Sequence, residues 1–90
     1  MLTPVETTRF RKDVKRQLKR GSDHRKLQHV ASLLIDEQPL EPKYRDHKLS
    51  GEFAGHRECH IEPDWLLIYR VAGNEIRFIR TGTHADLLGE

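Results

Sequence analysis

The chain has little of what several common kinds of site require. It has one cysteine, Cys59, so no internal disulfide can form, which fits a reducing compartment. No stretch approaches the roughly 18 consecutive apolar residues of a membrane helix, and the N-terminus has no apolar signal core. We therefore expect a soluble, cytoplasmic protein with no membrane partner.

Sequence motifs for cofactors are also missing. There is no glycine-rich phosphate loop, no serine-nucleophile elbow and no dinucleotide fingerprint. A zinc site made by His47, His60 and His84, with an open fourth position, is an alternative. These three histidines are widely spaced and no Cys-x2-Cys pair accompanies them, so we expect no metal and no organic cofactor.

Charge is distributed unevenly along the chain. Ninety residues suffice for one small domain, to which we assign residues 1–90. Residues 1–30 contain nine basic and three acidic side chains (+6), whereas residues 31–90 contain seven basic and eleven acidic ones (−4). A basic N-terminal third suggests a polyanionic or acidic partner, although a solvated helix face would give the same pattern.

The N-terminal part predicts a strand followed by a helix. Residues 3–7 favour a short edge strand, and Thr7 or Thr8 can cap a helix that runs to about Lys19. Gly21 suits a left-handed C-terminal cap. Apolar residues recur every four positions in this helix and predict a narrow buried stripe: Phe10, Val14 and Leu18.

A second helix and a long loop follow. Ser22 or Asp23 can cap the helix, and Pro39 ends it by about Glu37. Residues 38–55 show no clean period and contain Pro and Gly at several positions, so we expect a loop there. A loop of this length in a compact domain is more often functional.

The last third predicts three antiparallel strands joined by two-residue turns at Pro63-Asp64 and Gly73-Asn74. Thr83 can cap a short C-terminal helix that begins at His84. We therefore expect an α+β fold, in which an N-terminal strand and a helical hairpin pack on an antiparallel sheet completed by this meander.

The two turns also predict a strand register. His60 should lie opposite Leu67, and Leu67 opposite Arg80, unless a β-bulge shifts the pairing by one residue. His60 and Arg80 would then share one face of the sheet with three further residues, Glu58, Tyr69 and Phe78. The other face, suited to the helices, would carry Cys59, Ile61, Leu66, Ile68 and Ile79.

Five residues in this region are the parts needed to cut a phosphodiester without a metal: His47, His60, Asp64, Arg80 and His84. A proton must leave a hydroxyl, a proton must reach the leaving oxygen, and a cation must hold the phosphate between them. Imidazole titrates near neutral pH, and the arginine fork matches a phosphate. Each residue taken singly also has a structural interpretation, such as a strand-end arginine paired with an acid or a turn aspartate.

Three segments of the sequence resemble those of a known family. The segments Asp46-His47, His60-x-Glu62-Pro63-Asp64-Trp65 and Arg80-Thr81-Gly82-Thr83-His84 are similar, in this order, to the YafQ-type toxins of the RelE superfamily. The resemblance covers nearly the whole chain and implies a RelE-like fold. It implies a bacterial type II toxin that cleaves messenger RNA in the ribosomal 30S A site through the RNA's own 2′-hydroxyl, leaving a 2′,3′-cyclic phosphate without a metal.

The resemblance also implies roles and partners. The acid/base histidines correspond to His47, His60 and His84, the catalytic aspartate to Asp64 and the phosphate-binding arginine to Arg80. The sequence does not assign acid and base; our interpretation is that His84, which lies past Arg80, is the acid and that His60 or His47 is the base. A neutralising antitoxin is expected. Ribosomal RNA, or an acidic antitoxin segment, would meet the basic residues of the first helix: Arg9, Arg11, Lys12, Lys15, Arg16, Lys19 and Arg20.

One position departs from the family. Leu88 stands where the family often has an aromatic residue four positions after the last histidine. Leucine keeps an apolar contact but cannot stack on a base. A non-catalytic RNA- or partner-binding module of the same fold therefore stays open as the alternative function.

Overall fold

The computed structural model describes residues 1–89. They form an α+β fold of five strands and three α-helices, with two single turns of 3-10 helix at Pro42–Tyr44 and Gly51–Phe53. The elements in chain order are β1 (Thr3–Glu6), α1 (Thr8–Lys19), α2 (His24–Ile35), β2 (His47–Lys48), β3 (Arg57–Glu62), β4 (Trp65–Ala72), β5 (Glu75–Gly82) and α3 (His84–Leu88).

The five strands make one sheet in the order β1-β5-β4-β3-β2. The predicted meander β3-β4-β5 and both of its two-residue turns are confirmed. The edge strand β1 joins parallel to β5, so the sheet is mixed rather than antiparallel throughout. A parallel neighbour needs a crossover, and α1 and α2 supply it.

The helix boundaries follow the predicted caps. The Thr7 hydroxyl accepts the N–H of Phe10 at 2.9 Å, and the Asp23 carboxylate accepts that of Arg25 at 2.9 Å. Gly21 has φ +96°, the left-handed conformation that glycine adopts without strain. Thr83 caps α3 in a capping box with Asp86.

The predicted apolar stripe of α1 is wrong in part. Phe10 is buried as expected, but the other two buried residues of this helix are Asp13 and Gln17, whereas Val14 and Leu18 are only partly buried. Phe10 stacks on Phe78 of β5 with ring centroids 5.6 Å apart. The buried face of α1 therefore includes two polar residues, Asp13 and Gln17, which the spacing of the apolar residues does not reveal.

The segment expected to be a loop, residues 38–55, is more ordered than predicted. It contains the two 3-10 turns and the two-residue strand β2. His47 of β2 pairs with Glu58, and Lys48 with Arg57. The loop therefore adds the outermost strand of the sheet and carries His47 with it.

Two β-bulges alter the register expected from the turns. One between His60 and Glu62 places His60 opposite Leu66, and one at Ile68/Tyr69 places Arg80 opposite Ile68. The pairings of both with Leu67 are therefore wrong. Directly paired residues point to the same face, and Leu66 and Ile68 alternate with Leu67 on β4. Because both strands shift, His60 and Arg80 still share a face, but it is the face opposite Leu67.

The main core lies between the helices and the face of the sheet that carries Leu67. We call this the first face, and the opposite one, which carries His60 and Arg80, the second face. Its buried sheet residues include Cys59 and Ile61, as predicted, together with Trp65, Leu67, Ile76 and two residues expected on the other side, Tyr69 and Phe78. A smaller cluster on the second face consists of Leu66, Ile68 and Leu87, with Leu49, Phe53 and Ile79 packed against it. The assignment of Leu66, Ile68 and Ile79 to the helix side was wrong, since the bulges reverse it. Within residues 1–89, no helix is long and apolar enough to cross a membrane.

Candidate active site

Three imidazoles lie in a row on the second face of the sheet. The ring centroids of His47 and His60 are 6.3 Å apart, and those of His60 and His84 are 5.5 Å apart. They come from β2, β3 and the first turn of α3, so the residues from 47 to 84 must fold before the row exists. The structure thus brings together all three histidines that were singled out in the sequence.

Asp64 fixes the orientation of His84. Its Oδ1 atom accepts the backbone N–H of His84 at 2.9 Å and lies 2.6 Å from Nδ1 of the same ring. The backbone N–H is the main cause that lowers the pKa of Asp64, followed by the ring nitrogen, so the carboxylate stays ionised. An ionised carboxylate accepts only, so Nδ1 of His84 carries the proton and Nε2 is left for a substrate.

Glu58 belongs to the site, although sequence reasoning gave it no role. It is buried, with 3% of its surface exposed. Its Oε1 atom lies 3.1 Å from Nε2 of His60 and 3.8 Å from Nε2 of His47. Alternate residues of a strand share a face. Glu58 lies two positions before His60, and this spacing was the sequence signal that could have placed it in the site. Nδ1 of His47 is held by the carbonyl of Arg45 at 2.6 Å.

Asp46 anchors the segment that carries His47. Its carboxylate accepts the Tyr69 hydroxyl at 2.5 Å, and Nε and Nη2 of Arg57 at 3.3 and 3.2 Å. Burial and the contact with Asp46 raise the pKa of Tyr69, so the phenol remains a donor. The short strand β2 is therefore attached to β3 and β4 by side chains as well as by its two backbone pairs.

Arg80 shares the second face of the sheet with His60, but its side chain is paired with another residue. Its Nε and Nη2 atoms donate to Asp13 of α1 at 2.7 and 3.1 Å. This pairing raises the pKa of Arg80 further, and the side chain is 12% exposed. The permanent positive charge expected of this residue is present, in a fixed orientation.

The basic residues of α1, together with Arg20 directly after it, divide into two groups. Arg16 and Arg20 form ion pairs with Asp86 of α3, and Arg16 also with Asp13. The contact with Arg20 holds the pKa of Asp86 well below its usual range. The remaining five are exposed to solvent: Arg9, Arg11, Lys12, Lys15 and Lys19. One face of α1 therefore presents positive charge, and its C-terminal end is tied to α3.

In the described part of the chain, the possible metal ligands do not form a coordination site. His56 and His60 have the spacing of some zinc ligands, a pair that the sequence contains. Within residues 1–89, however, no group of three or more His, Cys, Asp or Glu side chains is arranged to hold a metal. Cys59 is fully buried, and burial raises the pKa of its thiol to about 12, so it supplies no thiolate.

The chain is similar to known proteins over nearly its whole length. A family model described as the bacterial toxin of type II toxin–antitoxin system, YafQ, matches residues 2–89. The mRNA interferase toxin YafQ of Escherichia coli K12 is 48% identical over 81 residues, 89% of this chain and 88% of that protein. A crystal structure of the E. coli DinJ-YafQ complex matches with a TM-score of 0.92 at 43% identity, over 99% of this chain and all of the matched chain. A metal-bound toxin from Helicobacter pylori matches with a TM-score of 0.90 at 43% identity, over 97% and 99%. The chain therefore belongs to the YafQ family, the toxins of bacterial type II toxin–antitoxin systems.

Proposed function

We propose that this toxin is a ribosome-dependent endoribonuclease that cuts messenger RNA in the 30S A site. The row of three imidazoles, His47, His60 and His84, carries this proposal, since two proton transfers require two titratable groups within reach of one phosphate. The name of the E. coli relative, an mRNA interferase, supports the same substrate.

His60, in the middle of the row, is the base. Its Nε2 faces Glu58, so the neutral ring has Nδ1 free to take the proton of the ribose 2′-hydroxyl. The buried carboxylate of Glu58 then stabilises the imidazolium that forms. His47, 3.8 Å from the same carboxylate, lies on the far side of His60 from His84 and is the second candidate for this step.

His84 is the acid. The 2′-oxygen attacks the adjacent phosphorus, and the bond from phosphorus to the 5′-oxygen breaks. For this step His84 is the imidazolium, protonated on both ring nitrogens, so Nε2 gives its proton to the leaving oxygen while Nδ1 keeps the proton that faces Asp64. The products are a 2′,3′-cyclic phosphate and a 5′-hydroxyl. Asp64 holds the ring by Nδ1 throughout, and Arg80 stabilises the negative charge on the phosphate. No step requires a metal ion.

The partners follow from charge and family. The exposed basic residues of α1 bind ribosomal RNA through its phosphates, which makes the affinity salt-dependent. The toxin is neutralised by a cognate antitoxin, as the E. coli relative forms a complex with DinJ. It works in the cytoplasm, where the ribosomes are.

The test is to map cut ends on messenger RNA in a translating extract. Wild-type protein should give new 5′-hydroxyl ends at A-site codons, and His60→Ala or Arg80→Ala should remove them while the circular dichroism spectrum stays unchanged. His29→Ala, an exposed histidine of α2, is the matched control and should cut normally. Normal cutting by both site variants would exclude the mechanism.

The same experiment separates the alternatives. Salt-dependent binding to ribosomes without new ends would identify a non-catalytic RNA-binding module of this fold. A chelator selective for zinc and copper, added at constant Mg²⁺, should leave cleavage unchanged. Loss of cleavage that added zinc restores would show a metal-dependent hydrolase instead.

A further inference from the structure

The single acidic residue of α1 is buried. This helix has six Lys or Arg residues, and all of them lie on its exposed or half-exposed faces, whereas Asp13 has 3% of its surface exposed. Removing a carboxylate from water costs free energy unless partners replace the water. The partners of Asp13 therefore have to stabilise its buried carboxylate, and they indicate its role.

Asp13 receives hydrogen bonds from three residues. Its Oδ2 atom accepts Nε of Arg80 at 2.7 Å and the backbone N–H of Thr81 at 3.2 Å. Its Oδ1 atom accepts Nη2 of Arg80 and Nη2 of Arg16, both at 3.1 Å. β1 pairs with β5 only as far as Phe78, and beyond it the Thr7 hydroxyl donates to the Ile79 carbonyl at 2.9 Å. Asp13 then accepts the Thr81 N–H at this edge.

The contact with Arg80 is a two-point fork. Two parallel hydrogen bonds fix both the place and the plane of a guanidinium, which one bond would leave free to rotate. Among residues 1–89, Nη1 of Arg80 has no hydrogen-bond acceptor, and the side chain keeps 12% of its surface exposed. One edge of the guanidinium is thus occupied by Asp13 and the Nη1 side is available to an anion.

We propose that Asp13 is the positioning residue for Arg80: it holds the Nε–Nη2 edge so that the Nη1 side meets the phosphate that is cut. This inference rests on the proposed function and adds a residue to it. A free arginine must lose side-chain freedom when it binds a phosphate, whereas Arg80 has already lost it in the folded protein. Loss of Asp13 should therefore raise the free energy of the transition state for cleavage.

A purely structural role would look different. The bond from the Thr81 N–H, together with the packing of Phe10 on Phe78, would be enough to dock α1 on β5. A residue that only docks the helix would affect thermal stability and leave the cleavage rate of the folded protein unchanged. Positioning predicts a lower kcat with unchanged KM for translating ribosomes.

The variant to measure is Asp13→Asn, which keeps the size of the side chain and one acceptor but loses the charged fork. Cleavage on translating ribosomes should fall about 10- to 100-fold in kcat, since a misplacement of about 1 Å can cost about 10²-fold. Gln17→Ala is the matched control, because Gln17 is buried one turn further along the same face and does not contact Arg80. Its kcat should equal that of the wild type.

Two further measurements keep the test decisive. If Asp13→Asn does not fold, Asp13→Glu keeps the charge but displaces the carboxylate by one methylene, and its kcat should fall by about tenfold or more. Guanidinium ion should partly restore cleavage to Arg80→Ala, but not to the double variant Asp13→Asn/Arg80→Ala, which lacks the carboxylate that would hold the ion.

The outcomes are distinct. Wild-type rates in Asp13→Asn, or in Asp13→Glu where only that variant folds, would overturn this inference alone. Equal rescue by guanidinium with and without Asp13 would do the same. If the wild-type protein itself gave no cut ends, the proposed function would fail, and this inference with it.

Discussion

Replacing Glu58 with glutamine should raise stability and lower activity at once. The Glu58 side chain is 5% exposed, and its partners are two ring nitrogens, of His60 at 3.1 Å and His47 at 3.8 Å. Neutral imidazoles do not balance a buried carboxylate, so its desolvation is poorly compensated. Glutamine keeps the shape without the charge, and we expect the free energy of unfolding to rise by about 1–2 kcal/mol. For a domain of this size that corresponds to roughly 5–10 °C in Tm.

The activity of the same variant should fall. Unit charges about 4 Å apart attract by about 4 kcal/mol at an effective dielectric constant of about 20. In the transition state His60 gains a positive charge beside Glu58, and glutamine cannot stabilise it. A loss of about 2–4 kcal/mol in the transition state slows cleavage by about 30- to 1,000-fold.

The two quantities are measured on one preparation. Thermal melting at pH 7 gives the change in Tm, and the rate of appearance of cut ends on translating ribosomes gives the activity. Glu52→Gln, which removes an exposed acid, should change neither. A lower Tm together with an unchanged rate would refute this view of Glu58.

Three further predictions concern α3 and its surroundings. Asp64→Asn should leave the fold intact but slow cleavage by about 10²- to 10⁴-fold, because the neutral amide no longer stabilises the charged ring of His84 and its NH2 group can face Nδ1 in place of the oxygen; single-turnover rates check this. Leu88→Phe should lower KM for ribosomal complexes by about fivefold or more, since an added ring can stack on a base at about 1–3 kcal/mol; an unchanged KM would show that no base reaches this position. The bond from Arg20 lowers the pKa of Asp86 below its ordinary 3.8, so this carboxylate stabilises the fold at neutral pH, and the contribution is lost as the pH falls below 3.8. Urea midpoints at pH 7 and pH 3 should therefore differ less in Asp86→Asn than in the wild type.

Local signals in the sequence were enough to predict the helices and the strands of the meander. Thr7, Asp23 and Thr83 cap the three helices because their side chains accept N–H groups of the next turn, an interaction contained within a few residues. The turns at Pro63-Asp64 and Gly73-Asn74 are equally local. The family resemblance then supplied the arrangement of these elements, which the comparisons confirmed.

The parts that could not be predicted depend on distant contacts. The burial of Asp13 follows from Arg80, 67 residues away in the chain, and no pattern within α1 shows it. The bulges are not marked by glycine at Ile61 or Ile79, so the turns alone gave a register one residue out on both sides of β4. The prediction that His60 and Arg80 share one face was right although the neighbours assigned to them were wrong. Each bulge shifts the pairing by one residue, in opposite directions along β4, so both side chains change to the other face together.

The paired bulges also mean that the register of β3 and β5 matters to the chemistry as much as residue identity does. If one bulge were lost without a change in strand length, the pairing set by its hairpin turn would continue past it, and His60 or Arg80 would lie opposite Leu67 on the helix side of the sheet. Deleting the extra residue, Ile61 or Ile79, would instead straighten the strand and leave His60 opposite Leu66, or Arg80 opposite Ile68, on its present face. The geometry of the catalytic groups therefore depends on two strand irregularities that lie outside those groups.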